Sequence, residues 1–260
     1  MKTILSLGAG VQSSVVALLS KHGELPRIDH AIFSDTGWEP ASVYKWLDYL
    51  EGELPFPVHR VSAGNLRHDE LTKNQGHLPY FVKRETGERG ITLRSCTHRY
   101  KIMPIEKEVS RLIGRAKGKR WPKTPLIDQW FGISLDEIQR MKISQRPAIV
   151  FKYPLIDTLR MTRGDCLAWM EAKGYPLPPR SACIGCPFHS DDEWRRLRDD
   201  TPDEWVDAIA FDAAFRAREM TKYPAYLHAS LVPLDEVDLR TAEDHGQLSF
   251  LDECEGMCGV

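Results

Sequence analysis

A Rossmann-like α/β fold, a parallel sheet with a helical C-terminal appendage, is what this sequence predicts, and three observations predict it. The chain opens with an apolar run, Ile4-Leu5, a glycine-bearing turn and a helix-like Val15-Val16-Ala17-Leu18-Leu19. Apolar extended stretches then alternate with helical ones as far as Val61, a spacing that calls for crossover connections and hence parallel strands. With 260 residues, 42% of them apolar, the chain is long enough to bury the core that such a sheet requires.

The first turn, Ser6-Leu7-Gly8-Ala9-Gly10-Val11-Gln12-Ser13-Ser14, reads as the end of a strand, a tight turn and the start of a helix. Its glycines suit positive φ and a close approach to a ligand, and the Ser13 and Ser14 hydroxyls fall where a first helical turn has unpaired N–H groups. Such a turn is an anion cradle, or simply a glycine turn with a capping serine. It has neither the Lys of a Walker loop nor the spacing of a dinucleotide fingerprint. The second strand is expected over Asp29 to Phe33, ending in Ser34-Asp35-Thr36-Gly37. A helix over Pro40 to Leu50 follows, with Val43, Trp46, Leu47 and Leu50 on one face, then a third strand over Pro57 to Val61. In a parallel sheet the first turn and Asp35 to Gly37 both fall at the carboxyl ends of strands, where ligands gather.

Gly64 to Arg94 is polar and without sustained period, so it reads as an insertion or flap. Pro104 to Ile113 reads as a helix started by proline, and 111–123 as a locally basic linker. A strand over Thr124 to Phe131 precedes Ser134 and Glu137, spaced as a capping box. Phe151 to Ile156 is extended, and Thr162 to Lys173 is a helix closed by Gly174. Beyond Pro176 the character changes. Ser181 to Phe188 carries Cys183-Ile184-Gly185-Cys186, and helices are expected over Asp191 to Arg198 and Pro202 to Met220, burying Trp194, Leu197, Trp205, Ile209 and Phe215. The expected division is 1–175 for the α/β domain, with 64–94 as an insertion or flap, and 176–260 for a helical, cysteine-bearing region.

Composition narrows the function classes. A formal charge of −2 gives no global attraction to nucleic acid, although the basic stretch around Arg115 to Lys123 suits phosphate contacts, or plain solvation. No stretch is long enough to span a membrane, and the amino terminus lacks a clean leader pattern, so a cytoplasmic location is expected. Six cysteines, Cys96, Cys166, Cys183, Cys186, Cys254 and Cys258, are too few and too unevenly placed for a disulfide scaffold. They suit a reducing compartment and metal or redox work, with Cys166 expected in the core.

Five stretches fall in a recognisable order: Gly8-Ala9-Gly10-Val11-Gln12-Ser13; Asp35-Thr36-Gly37-Trp38-Glu39; Cys96-Thr97-His98-Arg99-Tyr100-Lys101-Ile102-Met103-Pro104-Ile105; Gly132 to Arg140; and Tyr153-Pro154-Leu155-Ile156-Asp157 leading to Cys183-Ile184-Gly185-Cys186. Together they resemble the PP-loop ATP pyrophosphatase superfamily (PP-loop/HUP type), in particular its phosphoadenosine phosphosulfate reductase branch, over about Lys2 to Phe188. The family loop is Ser-Gly-Gly-x-Asp-Ser; here Gly8, Ala9 and Gln12 depart from it, and Gln12 removes a carboxylate. Ser134 stands where an Arg is usual in the fourth motif.

The resemblance implies ATP or a related adenine nucleotide, with Mg²⁺, held by Ser6, Gly8, Ala9, Gly10, Gln12, Ser13, Ser14, Asp35, Thr36, Gly37, Gly132 and Arg140. Asp35 then takes the metal or a ribose hydroxyl, while Arg99, Lys101 and Arg140 are cations for phosphate or sulfate, with Asp35 and Lys101 counted among catalytic groups. It also implies a [4Fe-4S] cluster on Cys96, Cys183 and Cys186, one thiolate short of four unless Cys254 or Cys258 closes it. A zinc site on those cysteines with His98 or His189 is the alternative. Glu253-Cys254-Glu255-Gly256 resembles the Glu-Cys-Gly of sulfonucleotide reductases, whose Cys attacks the sulfonyl sulfur.

Three readings stay open. One is an ATP-dependent enzyme that adenylylates a nucleic-acid or small-molecule acceptor and transfers sulfur from a donor protein. The second is a sulfonucleotide reductase with Cys254 as nucleophile and a thioredoxin-like reductant. The third is a non-catalytic zinc-stabilised binding module.

Overall fold

The computed structural model describes residues 1–73, 76–116, 118–218 and 221–240. In chain order the elements are β1 (Lys2–Ser6), α1 (Val11–Lys21), β2 (His30–Asp35), α2 (Ala41–Glu53), β3 (Val58–Ser62), α3 (Leu66–Thr72), β4 (Phe81–Lys83) and β5 (Arg89–Ile91). A π-helical stretch (Thr97–Ile102) runs into α4 (Met103–Leu112), followed by β6 (Ile127–Phe131), a 3₁₀ turn (Leu135–Arg140), β7 (Ile149–Lys152), α5 (Pro154–Asp157) and α6 (Arg163–Ala172). Then come α7 (Asp191–Asp200), α8 (Pro202–Arg216), β8 (Ala225–Tyr226) and a last 3₁₀ turn (Leu234–Glu236).

These elements form two compact units, each made of two chain segments. The first, Met1–Ala63 with Arg99–Ser181, holds a five-stranded sheet in the order β3-β2-β1-β6-β7, every pair parallel. This is the Rossmann-like α/β sheet expected from the sequence. Period-two alternation explains its two faces. Leu5, Ala31, Phe33 and Trp130 point into a core shared with α1, α2 and α6, whereas Ile4, Ile32, Ile127 and Ile149 pack with Val109 of α4. Helix α1 is apolar from Val15 to Leu19, and all five residues are buried, so its start is pinned in place by packing.

The second unit joins Gly64–His98 to the described part of Ala182–Gly259. The region expected as an insertion or flap carries α3, β4 and β5 among its described residues. Its short strands are paired antiparallel in the order β5-β4-β8, and strands this brief leave too little alternation to reveal themselves in sequence. The unit is also less purely helical than expected, since β4, β5 and β8 belong to it. Trp194, Phe211 and Phe215 are buried here and Leu197 nearly so, while Trp205 and Ile209 are only half-buried. Tyr80 stacks on Phe215 with ring centroids 3.7 Å apart. Buried Asp212 accepts N–H bonds from Leu227 (3.1 Å) and Leu234 (3.2 Å), tying the strand β8 segment and the last turn to α8. Buried Glu70 accepts from the His77 N–H (2.6 Å) and the Tyr80 hydroxyl (2.7 Å), and burial pushes its carboxyl pKa up. The His77 carbonyl in turn accepts the N–H groups of Ser95 and Cys96, both at 3.0 Å, so Glu70 fixes the loop on which Cys96 rests.

Two local expectations give way to other partners. Gly174 closes α6 at φ 72 and Thr162 caps it, as the sequence indicates. Ser134, however, makes no capping bond: its hydroxyl and the Glu137 carboxylate are both taken by Gln12. Helix α8 ends at Arg216, short of Met220. No helix among the described residues is long and apolar enough to cross a membrane.

At the amino-terminal end of the parallel sheet His30 Nδ1 lies 3.0 Å from His59 Nε2, and His59 Nδ1 lies 3.2 Å from Glu108. Arg111 grips Glu108 with two N–H groups, and Lys2 and Asp29 also act on His30. Burial, then His59, lowers the pKa of His30 below its ordinary 6.5. In the unfolded chain His30 gains a proton as pH falls through that ordinary value, whereas in the folded chain it does so only at lower pH, so stability is lost on acidification. Thermal unfolding followed from about pH 7.5 to about pH 5.5 should show a falling midpoint, and His30→Gln should flatten that limb. An unchanged slope in the variant contradicts the assignment.

Candidate functional site

The strand order reverses direction between β1 and β6: the chain builds outward through β2 and β3, then returns to add β6 and β7 on the other side of β1. In open parallel sheets ligands bind in a crevice outside the carboxyl ends of the strands at such a switch point. Here the β1–α1 turn (residues 7–10) and the segment after β6 form its two walls, in register because Ser6 pairs with Phe131. The Gln129 side-chain amide donates to Ser6 Oγ at 2.8 Å and holds the two strand ends together.

The walls touch at Gly132. A Cβ on this residue would lie 2.5 Å from Ser13 Cα and 2.7 Å from the Gln12 carbonyl carbon, and would also run into Ser13 N. Only glycine allows the backbone after β6 to approach the first turn of α1 so closely. The positive φ expected at a glycine of the loop falls instead on Ala9, at φ 59, while Gly10 is extended at φ −95, ψ 178. Gly8 is exposed, and its N–H is bonded to Ser13 Oγ at 3.1 Å. That hydroxyl in turn donates to the Gly10 carbonyl at 3.2 Å, so Ser13 staples the loop shut on itself.

Gly10 precedes α1 as its cap residue and no side chain caps the helix, so its first-turn N–H groups and the positive end of the helix dipole suit an anion. Ser14 is not part of that cradle. It is fully buried, and its Oγ accepts the Trp46 indole N–H at 3.0 Å. The expectation of a ligand group at Ser14, the last residue of the loop stretch, gives way here: its side chain satisfies a tryptophan of α2.

Asp35, at the end of β2, accepts bonds through Oδ1 from the Gly37 N–H and the Tyr44 hydroxyl, both at 2.7 Å. Gly37 sits at φ 69, which lets the chain turn back over its own aspartate. Burial, and then Asp35, push the pKa of Tyr44 well up, so it stays a hydrogen-bond donor. Tyr44 was not foreseen, because nothing in its spacing from Asp35 distinguishes it from any other exposed-face residue of α2. Thr36 donates to buried Glu39 at 3.0 Å, and Lys101 Nζ lies 3.9 Å from the same carboxylate oxygen. The second and third sequence motifs thus meet. The Ser34 hydroxyl adds a bond of 2.6 Å to the Tyr100 carbonyl, anchoring the π-helical stretch that carries Arg99 and Lys101 to the end of β2.

On the opposite wall, Gln12 Nε2 donates to Ser134 Oγ at 3.4 Å and to Glu137 Oε2 at 3.2 Å. Arg140 pairs with the other Glu137 oxygen. Gln12, Gly132 and Arg140 are therefore brought into one neighbourhood. The basic stretch is not: it links the end of α4 to the start of β6, where the Lys2 N–H bonds to the Leu126 carbonyl. Five strand residues, about 17 Å, separate that edge from the crevice. Trp121 in it is flanked by the guanidinium groups of Arg115 and Arg146, 4.7 and 5.0 Å from the ring centroid.

The described cysteines belong to the second unit, apart from Cys166, which is buried in the core of the first as expected. Desolvation pushes the Cys166 thiol up to about 12, making it inert. Cys183 is buried, and Cys96 and Cys186 are partly exposed. The Cys183–Cys186 turn is closed by the Cys186 N–H on the Cys183 carbonyl (3.0 Å), and His189 Nε2 lies 3.0 Å from the same oxygen. That nitrogen is thereby taken up by main-chain carbonyls. Among the described residues no three His, Cys, Asp or Glu side chains converge as a metal-ligand group. Cys254 and Cys258 lie outside the described residues.

No protein-family model matches the chain, and no curated protein matches it. Among solved structures, the crystal structure of phosphoadenylyl-sulfate (PAPS) reductase from Candida auris, a phosphate complex, is similar over 68% of this chain and 75% of that one, at 12% identity and a TM-score of 0.45.

Gly132→Ala should push the two walls apart. An overpacked backbone contact of this kind costs about 1–3 kcal/mol, so the variant should unfold several degrees lower in a thermal melt. A melt identical to that of the unmodified chain removes the close approach from the description of the site.

Proposed function

We propose that this chain is an enzyme that binds an adenine nucleotide through its phosphate or sulfate oxygens at the β1–α1 turn, and that it acts in the manner of a sulfonucleotide reductase. The observation that carries the reading is the crevice at the sheet's switch point, where a helix start without a side-chain cap faces Gly132 across a backbone contact that only glycine permits. The five ordered sequence motifs that resemble the PP-loop superfamily supply the nucleotide's identity, since a bare anion cradle does not specify adenine.

Gln12 favours the sulfated nucleotide over magnesium ATP. A loop without a carboxylate offers no anionic ligand for a divalent cation, and the Gln12 amide nitrogen is a hydrogen-bond donor suited to an anionic oxygen. Lys101 and Arg140 supply positive charge, each held by a neighbouring glutamate. In the reductase reaction a cysteine thiolate attacks the sulfonyl sulfur, the bond from that sulfur to the bridging oxygen breaks, and the nucleotide leaves with its phosphate. Cys254 is the proposed nucleophile. A thioredoxin-like dithiol then supplies the two electrons that free sulfite from the thiol-bound sulfonate. No step is routed through a cluster or zinc.

Incubation with adenylyl sulfate or its 3′-phosphorylated form and a dithiol reductant tests the proposal. Sulfite and the free nucleotide should appear in equal amounts, and Cys254→Ser should abolish both. Release of pyrophosphate from ATP only when a nucleic-acid or small-molecule acceptor is present would replace this reading with the adenylylating, sulfur-transferring one.

A further inference from the structure

Glu137 stands where an anion-binding crevice has least use for a carboxylate. The Gln12 side-chain amide nitrogen is directed to the segment after β6, to Ser134 Oγ at 3.4 Å and to Glu137 Oε2 at 3.2 Å. The other Glu137 oxygen carries the Arg140 guanidinium. Neither partner is at the open surface: the Arg140 and Glu137 side chains are 19% and 26% exposed. Each oxygen of this carboxylate is thus occupied by a donor of the kind that takes a phosphate or sulfate oxygen. The Gln12 arm reaches out from the first turn of α1, so the bond to Glu137 runs from one wall of the crevice to the other.

We propose that Glu137 is a built-in competitor for the anion site, a carboxylate that occupies the Gln12 amide and Arg140 until a phosphate- or sulfate-bearing ligand displaces it. The inference rests on the nucleotide reading above and adds a specificity-determining residue to it. Displacement has two consequences. Gln12 and Arg140 change partner from Glu137 to the ligand without either being left unpaired in a half-buried site. The displaced carboxylate also opposes any weakly charged ligand that cannot outcompete it, which sets a threshold on the charge of what is retained. Ser134 stays hydrogen-bonded to Gln12 in either state and keeps that arm aimed across the crevice.

Neutralising the competitor must therefore tighten binding. Equilibrium dialysis or calorimetry with inorganic phosphate and with AMP, on the full chain and on Glu137→Gln, reads this directly. Glu137→Gln is expected to bind both probes about tenfold more tightly, one factor of ten corresponding to about 1.4 kcal/mol, whereas Arg140→Gln should bind them more weakly than the unmodified chain. Glu137→Asp, whose arm is one methylene shorter, provides a second variant that keeps the charge but loosens its grip, and it should fall between the two. Equal or weaker binding by Glu137→Gln while the unmodified chain binds AMP overturns the role given to Glu137 and leaves the nucleotide reading standing. Binding of neither probe by the unmodified chain or by Glu137→Gln overturns both.

Discussion

The contact between the backbone after β6 and the first turn of α1 is the constraint on which the crevice depends. With no side chain at Gly132, two segments more than a hundred residues apart in sequence meet main chain to main chain. Side chains that leave these segments then have short distances to span. The amide of Gln12 reaches Ser134 and Glu137, and Gln129 reaches Ser6, because the backbones beneath them already touch. Parallel pairing supplies the rest. Ser6 and Phe131 end their strands in register, so the two turns depart at the same level.

A second group of residues is organised around β2. Asp35 folds the following turn back onto itself through Gly37 and is steadied by Tyr44, while buried Glu39 collects Thr36 and lies close to Lys101. Lys101 and Arg140 each lie against a carboxylate, Glu39 and Glu137. The effect of these pairs is on position: long side chains that would otherwise sample many rotamers are directed along the strand ends.

The sheet was legible because its strands are long enough to alternate and its helices apolar enough to show a face. Ile4-Leu5, Ala31 to Phe33 and the Val43, Trp46, Leu47, Leu50 stripe all lie where the pattern put them. The second unit was hidden for the opposite reason. Its β4 and β5 have three residues each, its β8 two, and its stability comes from contacts such as Tyr80 on Phe215 that no local window contains. Within the crevice, glycines and charged motif residues announced themselves by type, but their partners did not. Ser14 looked like a ligand group and is instead the acceptor for Trp46, a pairing set by the packing of α1 on α2. Ala9 takes the left-handed conformation that sequence assigns to glycine, since the surrounding strand and helix fix both ends of the turn.

The interleaved division of the chain has a consequence for how the protein is made. Residues Gly64–His98 emerge from the ribosome between the two halves of the parallel sheet, yet the partners they pack on begin only at Ala182. Strand β4 must wait for β8, and Tyr80 for Phe215, through well over a hundred codons of further synthesis. During that interval the nascent polypeptide carries an unsatisfied apolar stretch in its middle while β1 is already awaiting β6. Vectorial production therefore cannot close the parallel sheet before β6 and β7 are made, nor the second unit before α8 and β8 follow, and the growing chain has reason to seek chaperone protection in that interval.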